Sequence, residues 1–236
     1  MLALIDADIV AYRCAAATEN DPEDVALLRV DSMLREILRD TDSTEYKAYL
    51  TGKNNFRYAI YPEYKANRKD KPKPQHLKAC QQFMVKEWNA VFSEGCEADD
   101  LISIEATASD DMMGYVICSI DKDLKQIPGN HYNFVTKERL FVSPLDGLKM
   151  FYKQLILGDV ADNVMGFDGK ARQKPPKFLE GHLAFIDDCA DEYDMYQYVY
   201  NMYIDQDMLD LNGKLLFMLR REGEMWTPPR EETDGS

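Results

Sequence analysis

The sequence predicts an α/β fold built on a mainly parallel sheet, and three observations carry that expectation. "LALI" (residues 2–5) and "YVICSI" (115–120) are continuous apolar runs of the kind that buried parallel strands show, and each ends in two closely spaced aspartates. Segments with helical apolar spacing alternate with the strands as far as about residue 145. With 236 residues and 45% hydrophobic content, the chain can bury one sizeable core.

Taken in order, the first strand runs into Asp6 and Asp8. Helical spacing follows through "DPEDVALLRVDSMLREILRD", where Asp21 is expected to cap and Pro22 to open the helix. "YKAYLTG" reads as a second strand closed by Gly52. Residues 61–75, "YPEYKANRKDKPKPQ", set Lys65, Arg68, Lys69, Lys71 and Lys73 among prolines, which is loop chemistry. A helix is expected over "HLKACQQFMVKEWNAV", and a strand end at "AVFSEG" leads into Glu97, Asp99 and Asp100 at the start of the next helix. "YVICSI" then ends in Asp121 and Asp123, and "HYNFVTKERLFVS" suggests two short edge strands.

Beyond Pro144 the chain turns helical. "PLDGLKMFYKQLILG" leads to the turn-rich "DVADNVMGFDGKARQKPPKFLEG", and the Tyr/Met cluster "YDMYQYVYNMY" reads as helix-core packing. The tail from Glu222 reads as extended and partly mobile. The expected division is a core at 1–143, with a basic loop at 61–75, and a helical region at 144–236.

Five scattered cysteines without CxxC spacing and three distant histidines signal neither a disulfide framework nor a zinc site, and fit a reducing cytoplasm. The N-terminus is too short and too acidic an apolar run for a signal peptide, and no membrane span is expected. A net charge of −14 argues against bulk electrostatic attraction to nucleic acid, so any such contact must be local. Residues 65–73 form one basic patch, and Lys170, Arg172, Lys174 and Lys177 form a second.

The acids carry the chemistry. Ligands of open parallel sheets collect at the carboxyl ends of the strands, so Asp6/Asp8, Glu97/Asp99/Asp100 and Asp121/Asp123 can share one rim, joined by Asp159 and Asp162 from "GDVADN". Singly, each cluster reads as a helix cap or an Asx-rich turn. Together they offer hard oxygen ligands suited to Mg²⁺ or Mn²⁺.

The order Asp6-x-Asp8, "YKANRK", "EADD", "SIDKD" and "GDVADN" resembles the flap endonuclease superfamily, and is most similar to phage-encoded 5′-to-3′ exonucleases. The resemblance spans residues 2 to about 170. It implies a PIN-like, mainly parallel sheet flanked by helices, followed by a divergent helix–three-turn–helix segment. It also implies a divalent-metal site, Mg²⁺ or Mn²⁺ and two ions, that hydrolyses DNA phosphodiesters at 5′ ends, flaps or nicks, with RNA/DNA hybrids as a further substrate class and a monomeric chain.

By the same resemblance Asp6, Glu97, Asp99, Asp100, Asp121, Asp123, Asp159 and Asp162 are the metal ligands, and Lys65, Arg68 and Asp121 serve catalysis. Lys65, Arg68, Lys69, Lys71, Lys170, Arg172 and Lys174 contact nucleic acid, and Tyr61 and Tyr64 are candidates to stack on a frayed base. The chain departs from the family twice. Thr51 and Gly52 stand where an aspartate usually ends the second strand, and "MGFDGKARQKPPKFLEG" replaces a Gly-Ile-Gly-like turn. Two other readings use the same residues: a haloacid-dehalogenase-like phosphatase with an aspartyl-phosphate on Asp6, and a DNA-structure-binding protein that has lost catalysis.

Overall fold

The computed structural model describes residues 1–69 and 71–231. Its centre is a six-stranded sheet in the order β3-β2-β1-β4-β5-β6, formed by β1 (Leu2–Asp6), β2 (Glu45–Lys53), β3 (Val91–Glu94), β4 (Tyr115–Cys118), β5 (Gly129–Asn133) and β6 (Glu138–Val142). The first five run parallel, and β6 closes the edge antiparallel to β5. The chain moves from β1 outward through β2 to β3, then returns to add β4 on the other side of β1. The strand order therefore reverses between β1 and β4, which opens a crevice at their carboxyl ends.

The apolar runs behave as their composition dictates. Ala3, Leu4 and Ile5 are buried on β1, and all four residues of β4 are buried, because helices cover both faces. On one face pack α1 (Ala7–Ala17), α2 (Glu23–Asp40) and α4 (Leu77–Trp88), which bring Val10, Ala11, Val30, Leu34 and Met84 into a common core. On the other lies α5 (Ala98–Thr107), with Ile102 and Ala106 against Leu4 and Ile117. The short α3 (Phe56–Ile60) leads into the basic loop.

A second apolar cluster gathers α6 (Pro144–Leu157), α7 (Glu180–Asp188), α8 (Glu192–Met202) and α9 (Gln206–Leu216) around Phe151, Leu155, Val199 and Leu215. Tyr64 from the basic loop is buried in this cluster, so the loop's base is part of the second core.

Several expectations need correction. Helix α1 is an element that the apolar pattern does not announce: it begins immediately after β1, with Asp6 as its N-cap, so Asp8 sits in the first turn of a helix. Pro22, not Asp21, occupies the N-cap of α2, so the cap residue offers no side-chain acceptor, and Asp24 in the first turn takes the Val25 amide at 3.0 Å. Helix α4 stops at Trp88 because Asn89 adopts a left-handed C-cap, which frees Val91 to enter β3. Between α6 and α7 the chain makes a hairpin of β7 (Gly158–Asp159) and β8 (Val164–Met165), a turn loop and a single 3-10 turn at Lys177–Leu179. The hairpin requires glycine: a Cβ on Gly158, whose φ is 67°, would approach the amide nitrogen of Gly166 to 2.4 Å.

The tail is not free as far as it is described. Trp226 is buried against Phe151 and Tyr196, and its ring fills the space beside Gly213. The rest of the expected mobile segment, residues 232–236, lies outside the described residues. Among the described residues no helix is long and apolar enough to cross a membrane.

Candidate active site

A cleft of about 920 Å³ opens at the carboxyl ends of β1 and β4, where the strand order reverses. Asp6, Asp8, Glu97, Asp99, Asp121, Asp123, Asp159 and Asp162 line it, together with Lys65, Arg68 and Lys122. Four separated acidic stretches of sequence and the basic loop therefore converge on one cleft.

Each acid is placed by local backbone chemistry. Asp6 ends β1 and accepts the Ile9 amide at 3.1 Å, while Ser119, just after β4, donates its hydroxyl to the other carboxylate oxygen at 2.7 Å. That bond ties the two strands on either side of the crevice. The Ser119 hydroxyl also receives the Asp121 amide at 2.9 Å, and Asp121 in turn accepts the Asp123 amide at 2.8 Å. Asp123 is held from the second cluster by Gln154 of α6 at 2.6 Å. Asp159 accepts the Asp162 amide at 3.0 Å, which closes the turn between β7 and β8, and both residues line the cleft.

Asp8 reaches across to β2, where its carboxylate accepts the Thr51 amide at 2.8 Å. The Thr51 hydroxyl accepts the Ala98 amide at the start of α5. Gly52 has no room for a side chain, since a Cβ would meet the Ser93 carbonyl oxygen at 1.9 Å. The end of β2 thus carries no acid of its own, and the carboxylate standing there is that of Asp8.

Crowding shows in the ionisation. Burial, with added repulsion from Asp8 and Asp121, pushes the Asp6 carboxyl up to about 7 despite its bonds to Ser119 and Ile9. Burial and the charges of Asp121 and Asp159 push Asp123 up to about 8. Asp99 is raised well above the ordinary range by burial and by Asp6, Asp121 and Glu97, and burial also raises Asp8 and Asp162. Such a wall disfavours its own charge and is relieved by cations.

Two lysines already serve that end. Lys65, in a left-handed backbone conformation, bonds Glu97 and lies 3.7 Å from Asp162. Lys122 bonds Asp159 at 2.9 Å. Burial works against both ammonium charges, but the facing carboxylates outweigh it and hold both lysines above their ordinary pKa. Arg68 adds an ion pair to Asp162 at 2.9 Å. With oxygens engaged in this way, no group of three or more His, Cys, Asp or Glu side chains closes around a single ion-sized centre among the described residues. The donor set itself, all carboxylate and mutually repelling, fits a hard divalent cation.

Some expected site residues stand elsewhere. Asp100 is not among the cleft acids: it is fully buried, accepts two bonds from Arg57 at 2.5 and 2.9 Å, and also receives the amides of Glu97 and Leu219. Its carboxylate is engaged in the core and does not line the cleft. Arg172 is engaged by Asp168 through two bonds at 2.8 and 2.5 Å, so it is not a free cation for phosphate. Lys69, Lys71, Lys170 and Lys174 are exposed, with Lys69 on the cleft rim. Tyr64 cannot stack on a base, because it is 1% exposed and its hydroxyl lies between the Glu97 and Asp162 carboxylates at 2.8 and 2.7 Å; Tyr61 packs on the second cluster.

Reading the sequence missed Arg57, Ser119, Gln154, Lys122 and Tyr58, all of which line the cleft or bond its acids. For Asp100 a signal existed: Glu97-x-x-Asp100 has the spacing of an N-cap residue and the N3 position that bonds back to it. For Arg57 and Tyr58 the sequence held none.

Comparison with known proteins places this geometry. The family described as "5′-3′ exonuclease, N-terminal resolvase-like domain" matches residues 1–153. DNA polymerase I of Bacillus caldotenax is 29% identical over 224 residues, an alignment covering 81% of this chain and 25% of the polymerase. The chain thus spans about a quarter of that relative's length. Among solved structures, the D15 protein of T5 co-crystallised with metal ions aligns with a TM-score of 0.64 at 16% identity, over 93% of this chain and 88% of that one. The bacteriophage T5 flap endonuclease in a complex with DNA and metal ions gives the same TM-score and coverage at 17% identity. The T5 5′-exonuclease with bound zinc gives 0.61 at 17% identity, over 91% of this chain and 88% of that one.

Proposed function

We infer a metal-dependent 5′-nuclease from one premise: the chain belongs to the 5′-3′ exonuclease family with its N-terminal resolvase-like domain. The observation that carries the inference is the convergence of eight carboxylates on the crevice between β1 and β4, two of them raised to about 7 and about 8. The substrate is DNA with a 5′ end, flap or nick, and RNA/DNA hybrids fit the same cleft chemistry. The chain acts as a monomer in the replication or recombination of a phage-like system.

Asp6, Asp8, Glu97, Asp99, Asp121, Asp123, Asp159 and Asp162 hold divalent cations, Mg²⁺ or Mn²⁺, in one or two positions. Cations bound there supply charge neutralisation at the phosphate and activation of the attacking water. The rest falls to this chain's own groups. Lys65 and Arg68 present positive charge at the cleft edge to the equatorial oxygens of the phosphodiester. In the resting site Lys65 and Arg68 are paired with Glu97 and Asp162, so a phosphate entering the cleft would compete with those carboxylates for them. Ser119 and Gln154 donate to Asp6 and Asp123 and fix how those two carboxylates sit in the cleft wall. Lys69, Lys71, Lys170 and Lys174 meet the DNA backbone farther out.

The phosphatase reading accounts for Asp6, Asp8, Asp159 and Asp162 but leaves Glu97, Asp99, Asp121 and Asp123 of the same cleft without a role. A binding protein without catalysis is disfavoured because it would gain from losing the acids that this cleft retains. The test is a labelled duplex with a 5′ flap, incubated with Mg²⁺, with EDTA, and with an Asp121→Ala chain. Cleavage that requires both the metal and Asp121 is expected, and binding without cleavage in Mg²⁺ or Mn²⁺ overturns the reading.

A further inference from the structure

We propose that the ring of Tyr58 is the platform on which an unpaired nucleobase stacks beside the phosphodiester to be cut, an inference that rests on the 5′-nuclease reading above. Tyr58 sits on α3 and lines the same cleft as the carboxylates, Lys65 and Arg68. It is 47% exposed, whereas Tyr64, the other aromatic of the lining, is 1% exposed. The two rings meet nearly perpendicular, with centroids 5.5 Å apart and planes at 72°, so Tyr64 braces Tyr58 without covering it.

The backbone that carries the ring is fixed. Its neighbour Arg57 is fully buried and donates to Asp100 and to the carbonyls of Leu215 and Phe217, and the Tyr58 amide bonds the Asn55 carbonyl. An aromatic ring beside Lys65 and Arg68 divides the work of holding a nucleotide: cations take the phosphate, and the ring takes the base. A terminal nucleotide lifted from its duplex loses its stacking partner, and among the described residues of this cleft wall Tyr58 is the exposed aromatic ring, while the Arg68 guanidinium is held by Asp162. Stacking on an aromatic is also indifferent to base identity, which suits an enzyme that reads DNA structure and not its sequence.

The experiment uses a duplex with a one-nucleotide 5′ flap carrying 2-aminopurine, Ca²⁺ in place of Mg²⁺, and the full chain as wild type, Tyr58→Ala and Tyr58→Phe. A matched duplex with an abasic flap removes the base alone. Wild type and Tyr58→Phe are expected to quench the 2-aminopurine, while Tyr58→Ala loses the quenching and binds about tenfold more weakly. On the abasic flap all three chains should bind alike. Equal losses on both duplexes, or no loss on either, overturn the role of Tyr58 while a wild type that cuts in Mg²⁺ keeps the nuclease reading. A wild type that neither binds nor cuts overturns both.

Discussion

Asp99 and Asp100 are adjacent carboxylates in the first turn of one helix, and the structure gives them opposite work. Replacing Asp100 by Asn keeps the shape and removes the charge. The Arg57 guanidinium, itself 2% exposed, then loses its bidentate partner and keeps only Glu97 at 3.8 Å and two carbonyls. Breaking a buried pair from one side costs about 3–5 kcal/mol, because it strands the other charge. In a chain of this size that corresponds to a fall of roughly 6–20 °C in melting temperature. The assay is urea unfolding followed by circular dichroism, with Ca²⁺ titration calorimetry on the folded fraction. Asp100→Asn should be strongly destabilised and should keep its Ca²⁺ affinity within about twofold. The pair can be checked by a cycle: Arg57→Met with Asp100→Asn should lose little more than either change alone. An Asp100→Asn chain that keeps its stability and loses tenfold in Ca²⁺ affinity refutes the structural role and restores Asp100 to the metal site.

The neighbouring change should run the other way. Asp99→Asn removes a charge that the site disfavours, so in EDTA the variant should melt a few degrees above wild type, while Ca²⁺ no longer raises its melting point as it does the wild type's. Lys122→Gln frees the Asp159 carboxylate from its 2.9 Å partner, and the Ca²⁺ concentration for half-saturation should fall several-fold in calorimetry. Neutralising Lys170 and Lys174 together should reduce the slope of log affinity against log salt by about two for flapped and blunt duplexes alike, measured by fluorescence anisotropy. Trp226→Ala should cost about 3–5 kcal/mol in urea unfolding, since the ring fills the space beside Gly213 and packs on Phe151.

What could be read ahead of the structure follows from the range of the interactions involved. Apolar runs such as "LALI" and "YVICSI" announce buried strands because burial on both faces acts on every residue of the run, and acids at their ends announce the crevice because the sheet geometry puts strand ends together. Helix α1 was hidden because its start overlaps the acidic motif: Asp6 is both the last residue of β1 and the N-cap of the helix. The fate of Trp226 was hidden because a polar, Pro-containing tail gives no local sign of the hole beside Gly213 that receives it.

The division of labour among the acids was illegible for a related reason. Whether a carboxylate at a helix start faces a cleft or a core depends on its partner, and the partner of Asp100 is Arg57, forty-three residues earlier, in a stretch whose composition shows nothing unusual. The same arginine reaches the carbonyls of Leu215 and Phe217, while Asp100 accepts the Leu219 amide. One buried pair therefore joins the helix that presents Glu97 and Asp99, the short helix that carries Tyr58 and the segment after α9. A site assembled from separated motifs needs such a fixed point, because mutual repulsion alone would spread its carboxylates apart. The charge balance within EADD thus divides by direction: Glu97 and Asp99 face the cleft, where Lys65 and cations from solvent can meet them, and Asp100 faces inward to the buried guanidinium of Arg57.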